Sequence, residues 1–247
     1  MVMKSASTDQ CVSKVFVGTS GWSYSWNPDG FKWYARYSGL NAVELNASFY
    51  RLPYKSMAIG WARVGKSIRW SIKVHRMVTH VCRLKQPRAL EWFNYLLERV
   101  SPLEENGLVD FYLFQLPPSY RAGRENWERI EAMASKTELG PRMAIEWRHE
   151  SWFKHEWIDR VRELGITIVS IDSPDYIFYA STSPYVYVRM HGRSGWYTHY
   201  YTDEELEQVA EWITRLSFNR VYVFFNNNHD MLENARRMYK LLTSVIK

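Results

Sequence analysis

Charged side chains alternate where several short apolar runs of the sequence end. One residue separates Glu146 from Arg148, and one residue separates Arg189 from His191. If these runs are strands, the members of each pair point to one side, where burying charge is costly unless it is compensated. The pattern recurs at the ends of other runs, at Glu44 with Asn46, Lys73 with His75, Asp172 and Asn226. Polar groups at successive strand ends indicate a functional site.

Three arginines predict that this site binds an anion. Arg148 and Arg189 lie at strand ends, and Arg193 follows in the next loop. Guanidinium groups are planar and permanently charged, so they pair well with phosphate oxygens. The 32 Lys+Arg against 26 Asp+Glu give a net charge of +6, which also favours an anionic partner. We expect an anionic small molecule or a nucleic acid.

Acid–base chemistry is expected from the carboxyl and imidazole groups beside the arginines. Glu146, Asp172 and His191 are the candidates for moving a proton on the bound substrate, and Glu44 belongs to the same ring. Lys73 is a further candidate, because a desolvated lysine forms a Schiff base with an aldehyde. The alternative is that all these charges neutralise one another in internal salt bridges and carry no chemistry.

A divalent metal is a second alternative for the same carboxylates. Glu44, Glu146, Asp172 and His191 offer oxygen and imidazole ligands that suit magnesium, manganese or zinc. The cations of the ring compete for those carboxylates and repel a dication. The sequence therefore requires no cofactor, and a divalent metal stays open.

These side chains meet only if the chain brings its strand ends to one rim. Short β-branched runs predict eight strands, at 15–18, 42–46, 70–74, 111–116, 143–147, 167–172, 185–191 and 221–226. Longer stretches predict helices at 31–38, 55–64, 87–100, 124–138, 153–164, 203–216 and 230–245. The gap between Asp172 and Tyr185 is too short for a full helix, so this crossover is expected to be irregular.

Strict alternation of strand and helix predicts a parallel sheet, and eight such units close most simply into a barrel. An open doubly wound sheet would be expected to show a glycine-rich phosphate fingerprint, which residues 18–22 lack. A chain of 247 residues commonly forms one α/β barrel domain. We predict an α/β fold with a single TIM-like (β/α)8 barrel over residues 15–247, an irregular crossover after strand six, and a flexible leader over residues 1–14.

The loops after the last two strands are expected to contribute to binding, since the corresponding loops of such barrels frequently hold phosphate. Trp196 and Tyr197 are predicted to stack on a base or a sugar, or to form an aromatic lid over the mouth. Asn226 and Asn227 offer amides to a sugar or phosphate, although asparagine at a helix entry is also a common cap.

Composition sets the expected compartment. The two cysteines, Cys11 and Cys82, are too few for a disulfide framework. The first residues are polar and unlike a secretion signal, and no apolar stretch reaches membrane-spanning length. We expect a cytoplasmic protein without a membrane partner, and the sequence leaves its oligomeric state open.

Several segments resemble the family called domain of unknown function 72, the YecE-like proteins. They are GTSGWSY (18–24), VELN (43–46), FYRLP (49–53), FQLPPS (114–119), EWRHESWF (146–153), RMHGR (189–193) and FFNN (224–227). The resemblance implies a barrel distantly similar to sugar isomerases and to barrel-type repair endonucleases, with no activity firmly attached. The segments include Trp22, Tyr24 and Gln115, which we add to the expected substrate-binding residues together with Asn46.

The expected function is an enzyme that acts on a phosphate-bearing substrate at the C-terminal mouth of the barrel. A nucleic acid, a nucleotide and a sugar phosphate all fit this description, and the reaction would be hydrolase-like or endonuclease-like. Two alternatives stay open: a metal-dependent enzyme of the sugar-isomerase type, and a nucleic-acid-binding module without chemistry.

Overall fold

Short runs of β-branched and aromatic residues form the strands of a closed barrel. The structure is a computed structural model that describes residues 14–246. Its strands are β1 Val15–Ser20, β2 Ala42–Leu45, β3 Arg69–Lys73, β4 Val109–Gln115, β5 Met143–Glu146, β6 Thr167–Asp172, β7 Ile177–Phe178, β8 Tyr185–Met190 and β9 Arg220–Phe225. All neighbouring pairs except β6–β7 are parallel, and β1 pairs with β9 to close the ring.

Amphipathic helices return the chain from one strand to the next and cover the outside of the barrel. They are α1 Gly30–Tyr37, α2 Lys55–Val64, α3 Arg88–Glu105, α4 Arg124–Thr137, α5 His155–Glu163, α6 Asp203–Thr214 and α7 Met231–Val245. The crossover from β6 to β8 has no helix and instead forms the short antiparallel strand β7. The predicted TIM-like barrel with one irregular crossover is therefore confirmed.

The inside of the barrel is apolar in its lower half and polar towards its mouth. Aromatic and small side chains from seven strands fill the lower half: Phe16, Ala42, Phe111, Leu113, Ala144, Val169, Tyr187, Tyr222 and Phe224. Asp110 closes the bottom, where it pairs with Arg69 and accepts a hydrogen bond of 2.9 Å from the Tyr222 hydroxyl. The lower half of the barrel is therefore packed with side chains, as in other barrels of this kind, whose active sites lie at the mouth.

The predicted leader falls, apart from Lys14, outside the described residues. Within residues 14–246, no helix combines the length and the apolar composition needed to cross a bilayer.

Close packing of β1 against β2 predicts a large cost for Gly18→Ala. A Cβ atom at this position would meet the carbonyl oxygen of Ala42 at 2.2 Å, and neither strand can move without disturbing the barrel. We expect a loss of about 1–3 kcal/mol or more in the free energy of unfolding. Gly60→Ala is the matched control, because nothing lies within 4 Å of its added Cβ, and helix propensity favours alanine by about 0.5–1 kcal/mol. Thermal or urea unfolding would show this contrast, and equal stability of the two variants would contradict it.

Candidate active site

A fully buried arginine joins two carboxylates in the upper half of the barrel. Arg189 of β8 donates from Nε (3.0 Å) and Nη2 (2.6 Å) to the two oxygens of Glu44 on β2. Its Nη1 donates to Oε2 of Glu146 on β5 at 2.5 Å. All three side chains have no solvent exposure. Arg189 therefore ties three separate strands together through charge-assisted hydrogen bonds.

Glu44 is held on every side by donors. Besides Arg189, it accepts from the Ser20 hydroxyl and from the Tyr187 hydroxyl, each at 2.7 Å. Burial and the nearby Glu44 raise the pKa of Tyr187 well above its ordinary value, so this phenol stays protonated and donates. Both oxygens of Glu44 are thus occupied within the protein, which makes Glu44 an anchor for Arg189 and leaves it no free oxygen for a substrate.

Glu146 lies between two guanidinium groups, because Arg148 Nε donates to its other oxygen. Burial alone would raise the pKa of Glu146, but the positive charges of Arg148, Arg189 and Lys73 outweigh burial and lower it. The carboxylate is therefore ionised at neutral pH. In this arrangement Glu146 acts as a fixed negative charge, and it does not exchange a proton with a substrate.

His191 accepts a hydrogen bond from Arg148 at its Nε2 atom, which therefore carries no proton. Arg148 Nη2 lies 3.0 Å from Nε2, and a guanidinium group can only donate. Burial, followed by Arg148, Arg189 and Lys73, lowers the pKa of His191 well below its ordinary value. The Asn226 amide nitrogen lies 3.3 Å from Nδ1. His191 therefore orients Arg148 and supplies no proton of its own from Nε2.

An aromatic lid covers this part of the mouth. The Arg148 guanidinium lies 4.7 Å from the centre of the Trp196 ring, and Trp196 Nε1 donates to Asp175 at 2.9 Å. Tyr197 is 40% exposed, and its ring packs against that of His191 with a centroid distance of 5.8 Å. Of the two stacking candidates, Trp196 covers Arg148, and Tyr197 lies beside His191 with part of its side chain exposed.

Lys73, at the end of β3, is the cation of the ring that lacks a carboxylate partner within ion-pair distance among the described residues. Its Nζ lies 4.4 Å from the centre of the Phe49 ring. Burial and the charge of Arg189 lower its pKa to about 7, although Glu146 and Glu44 act in the opposite direction. Lys73 is thus partly neutral at physiological pH and can accept or donate a proton.

The open part of the mouth lies at the exits of β1 and β2. Asn46 directly follows β2, one position beyond the Leu45–Ile72 pair, and begins the turn into a short 3-10 helix. Its Oδ1 atom is buried and has no hydrogen-bond partner. Together with Trp22 and Tyr24 it lines a cavity of about 190 Å3, which adjoins an apolar cavity of about 340 Å3. Gln115, opposite Glu146 in the β4–β5 register, is partly exposed on the other side of Lys73.

Asp172 and Arg193 are not part of this ring. Val169 points into the barrel, so strand alternation directs Asp172 to the outer face. There it accepts from the hydroxyls of Tyr179 and Tyr201 (2.5 and 2.9 Å) and from Arg193 Nη2 (2.8 Å). The expectation that Asp172 acts on the substrate and that Arg193 clamps it does not fit this geometry, since the two residues bind each other.

Asn227 also faces outward. It is fully buried, and its Nδ2 donates to the carbonyl of His199 (2.6 Å) and to Oδ1 of Asn234 (2.8 Å). Asn227 therefore fastens the loop after β8 to helix α7, while its neighbour Asn226 remains at the mouth.

A cationic rim follows β3, and the sequence pattern indicated Lys73 in it but neither Arg76 nor Arg83. We use this name for Lys73, Arg76, His80 and Arg83. Burial, then Lys73, Arg76, Arg148 and Arg83, lower the pKa of His80 to about 4, and no carboxylate contributes to this shift. Among the described residues, none of the four rim side chains forms an ion pair within 4.0 Å. This rim therefore carries positive charge that the protein leaves uncompensated.

Comparison with known proteins identifies the family. The family model described as "Protein of unknown function DUF72" matches residues 16–246. The chain belongs to the DUF72 family. A solved DUF72 protein from Thermotoga maritima is 28% identical, with a TM-score of 0.81 over 94% of this chain and 100% of that chain. No curated protein matches this sequence.

Two more distant likenesses concern the fold alone. A xylose isomerase domain containing protein from Salmonella typhimurium is 12% identical, with a TM-score of 0.58 over 86% of this chain and 92% of that chain. SacUVDE is 10% identical, with a TM-score of 0.54 over 94% of this chain and 98% of that chain. These barrels agree with the similarity to sugar isomerases and repair endonucleases that the family resemblance implied.

The metal alternative does not fit the side chains of this DUF72 protein. Each oxygen of Glu146 accepts from an arginine, Nε2 of His191 accepts from Arg148, and Asp172 faces the other side of the sheet. Between Lys14 and Ile246, no group of three or more His, Cys, Asp or Glu side chains is arranged to hold a metal ion. We therefore derive no step through a metal.

The central role of Arg189 predicts that Arg189→Met strongly destabilises the DUF72 protein. The substitution keeps most of the volume but leaves buried Glu44 without a cationic partner and Glu146 with Arg148 alone, which costs about 3–5 kcal/mol in the free energy of unfolding. Arg215→Met is the control, because its ion pair with Glu211 is 77% and 69% exposed, and such helix pairs contribute about 0.3–0.5 kcal/mol. Urea unfolding at neutral pH measures both, and a small effect at position 189 would contradict the description of the ring.

The lowered pKa of Lys73 predicts a pH-dependent gain in stability on Lys73→Met. Between about pH 7 and 10.5, the unfolded state binds more protons at this lysine than the folded state does. Stability of the wild type therefore rises with pH over this window. The gain from Lys73→Met should be largest at pH 6.5 and shrink towards pH 9.5. Parallel thermal unfolding curves would test this, and a gain that is constant or grows with pH would refute it.

Proposed function

We propose that this DUF72 protein is an enzyme that acts on a phosphate-bearing substrate at the mouth of its barrel. The observation that carries the proposal is the cationic rim, where Lys73, Arg76 and Arg83 surround His80 and, among the described residues, none of them forms an ion pair with a carboxylate. A phosphate bound there would face Lys73, Arg76 and Arg83 from one side of the mouth. Uncompensated positive charge in a partly enclosed site attracts anions strongly, because solvent screens it less than at an open surface.

The structure supports a different anion site from the one that the sequence suggested. Arg148, Arg189 and Arg193 were expected to clamp the phosphate, but each is already bound to a carboxylate. A phosphate at these arginines would have to displace Glu146, Glu44 or Asp172. At the rim it displaces no charged partner, so the rim is the more favourable place for an anion.

Lys73 is the best candidate for proton transfer in this proposal. Its pKa of about 7 lies near the operating pH, which is the condition for an effective general base or acid. Glu146 is ionised and fixed, and His191 is engaged by Arg148, so both serve the site by orienting and charging it. Asn46, with its unpartnered Oδ1, is placed to accept a hydrogen bond from a substrate hydroxyl.

The mouth favours a small substrate over a long nucleic acid. The two adjoining cavities, of about 190 and 340 Å3, are of the size of sites that hold small molecules. The loop after β8, which motivated a purely nucleic-acid-binding role, has its cation Arg193 paired with Asp172 and its Trp196 bonded to Asp175. We therefore favour a sugar phosphate or a nucleotide.

The rim predicts that Arg76→Gln with Arg83→Gln weakens phosphate binding at least tenfold, since each charged contact to phosphate contributes about 1.5–3 kcal/mol. Arg99→Gln, at an exposed position of helix α3, changes the net charge without touching the mouth and serves as the control. Isothermal titration with inorganic phosphate and with a nucleoside monophosphate measures the affinities. Equal affinity in the double variant and the control would contradict the anion site.

The wild-type protein and Lys73→Met should each be incubated with a panel of sugar phosphates, nucleotides and a short oligonucleotide. Proton and phosphorus NMR would then follow turnover. We expect turnover of at least one phosphate ester by the wild type and its loss in Lys73→Met. Turnover that survives Lys73→Met unchanged would remove Lys73 from the mechanism.

A further inference from the structure

Lys73 differs from the other described lysines in its surroundings. Among residues 14–246 it is the one lysine that is not exposed. The other lysines of this range all face solvent: Lys14, Lys32, Lys55, Lys66, Lys85, Lys136, Lys154 and Lys240. Its Nζ packs on the face of Phe49, and the edge of the His80 ring contacts the same phenyl ring. The phenyl ring shields the amine from water on one side, and the residue as a whole remains partly exposed.

A nucleophilic role needs a free electron pair on this amine. Among the described residues, no carboxylate lies within 4.0 Å of Nζ to hold it as an ammonium ion, because Glu44 and Glu146 are taken up by Arg189 and Arg148. Arg189 and Arg148 also repel a positive charge at this place. Neighbouring cations and partial desolvation are the two conditions that activate a lysine as a nucleophile.

We propose that Lys73 forms an imine with the carbonyl carbon of its substrate, and that the substrate is a hydroxyaldehyde or hydroxyketone bearing a phosphate. This inference rests on the proposed function, because the cationic rim supplies the phosphate site beside the amine. The unpartnered Oδ1 of Asn46, which follows β2, the strand next to the one that Lys73 ends, accepts from a substrate hydroxyl. The cationic rim, the Lys73 amine and the Asn46 amide thus match the phosphate, the carbonyl and a hydroxyl group of one small molecule.

The reaction balances without any additional oxidant or reductant. The neutral Nζ adds to the carbonyl carbon, and the carbonyl oxygen takes up one proton from the amine to give a carbinolamine. Loss of this hydroxyl, with one proton taken up from solvent, releases one water molecule and leaves a protonated carbon–nitrogen double bond. Glu44 and Glu146, the negative charges that act on Lys73, stabilise the protonated imine, which draws electrons from the adjacent carbon.

The test uses the intact wild-type protein with glycolaldehyde phosphate and sodium cyanoborohydride at pH 7. The reagent reduces an imine to a stable secondary amine, and peptide mass spectrometry then locates and quantifies it. Exposed amines are almost fully protonated at this pH, so Lys73 should be labelled at least about tenfold more than Lys85, which serves as the reference within the same digest. Lys73→Arg should lose this adduct, whereas Lys85→Arg should keep it.

Unphosphorylated glycolaldehyde separates this inference from the proposed function. Preferential labelling of Lys73 by the phosphorylated aldehyde supports both. Preferential labelling of Lys73 by both aldehydes to the same extent supports the imine and contradicts the phosphate site. Labelling of Lys73 no greater than that of Lys85, in a protein that still binds phosphate at the rim, overturns the imine and leaves the proposed function standing. Because labelling of the wild type decides each outcome, the test does not depend on whether a variant folds.

Discussion

The requirement for charge balance inside a dry barrel governs this structure. Arg189 has no solvent exposure and contacts both Glu44 and Glu146. Removing Arg189 leaves Glu44 buried without a cationic partner, which is far more costly than losing a surface ion pair. The same requirement explains the other polar side chains inside the strands. Ser20 and Tyr187 complete the hydrogen bonds of Glu44, and Ser71 in turn bonds to Tyr187.

The balance of this network determines the properties of the mouth. Glu44 and Glu146 form ion pairs with Arg189 and Arg148. Lys73, the third cation of the ring, has no carboxylate within ion-pair distance among the described residues. Burial, followed by the positive charge of Arg189, lowers the pKa of Lys73 to about 7. The loop that follows β3 adds Arg76 and Arg83, again without carboxylates. A site built in this way holds an amine of lowered pKa beside further cations, and the proposed anionic substrate rests on this arrangement.

The sequence predicted the barrel and most of the ring because both depend on strand periodicity. Alternating polar residues at the ends of β2, β5 and β8 placed Glu44, Glu146 and Arg189 on the inner face, and the observed strands begin and end within two residues of the predicted ones. For Asp172, alternation gave the wrong conclusion, since a strand end alone does not show which face is inside. Val169 had to be recognised as an inner residue before Asp172 could be assigned to the outer face.

Other features could not be read from local patterns at all. Arg193 pairs with Asp172 across 21 positions of sequence, and only the folded loop brings them together. Arg76 and Arg83 lie in a loop without periodicity, so their convergence on His80 had no signal in the sequence. The absence of a partner for Lys73 is likewise a property of the whole network, because it follows from how Arg189 and Arg148 occupy the two glutamates.

Titration of the Lys73 side chain in the wild-type protein tests the described charge balance most directly. Isotope labelling of lysine side chains and NMR detection of their ε-carbon or ζ-nitrogen shifts follow each amine separately, and the spectrum of Lys73→Arg identifies the signal. We predict that Lys73 titrates with a midpoint near pH 7. This midpoint should rise when phosphate binds at the rim. A midpoint near the ordinary value of 10.5, unaffected by phosphate, would show that Lys73 has a counterion and that the charge balance described here is wrong.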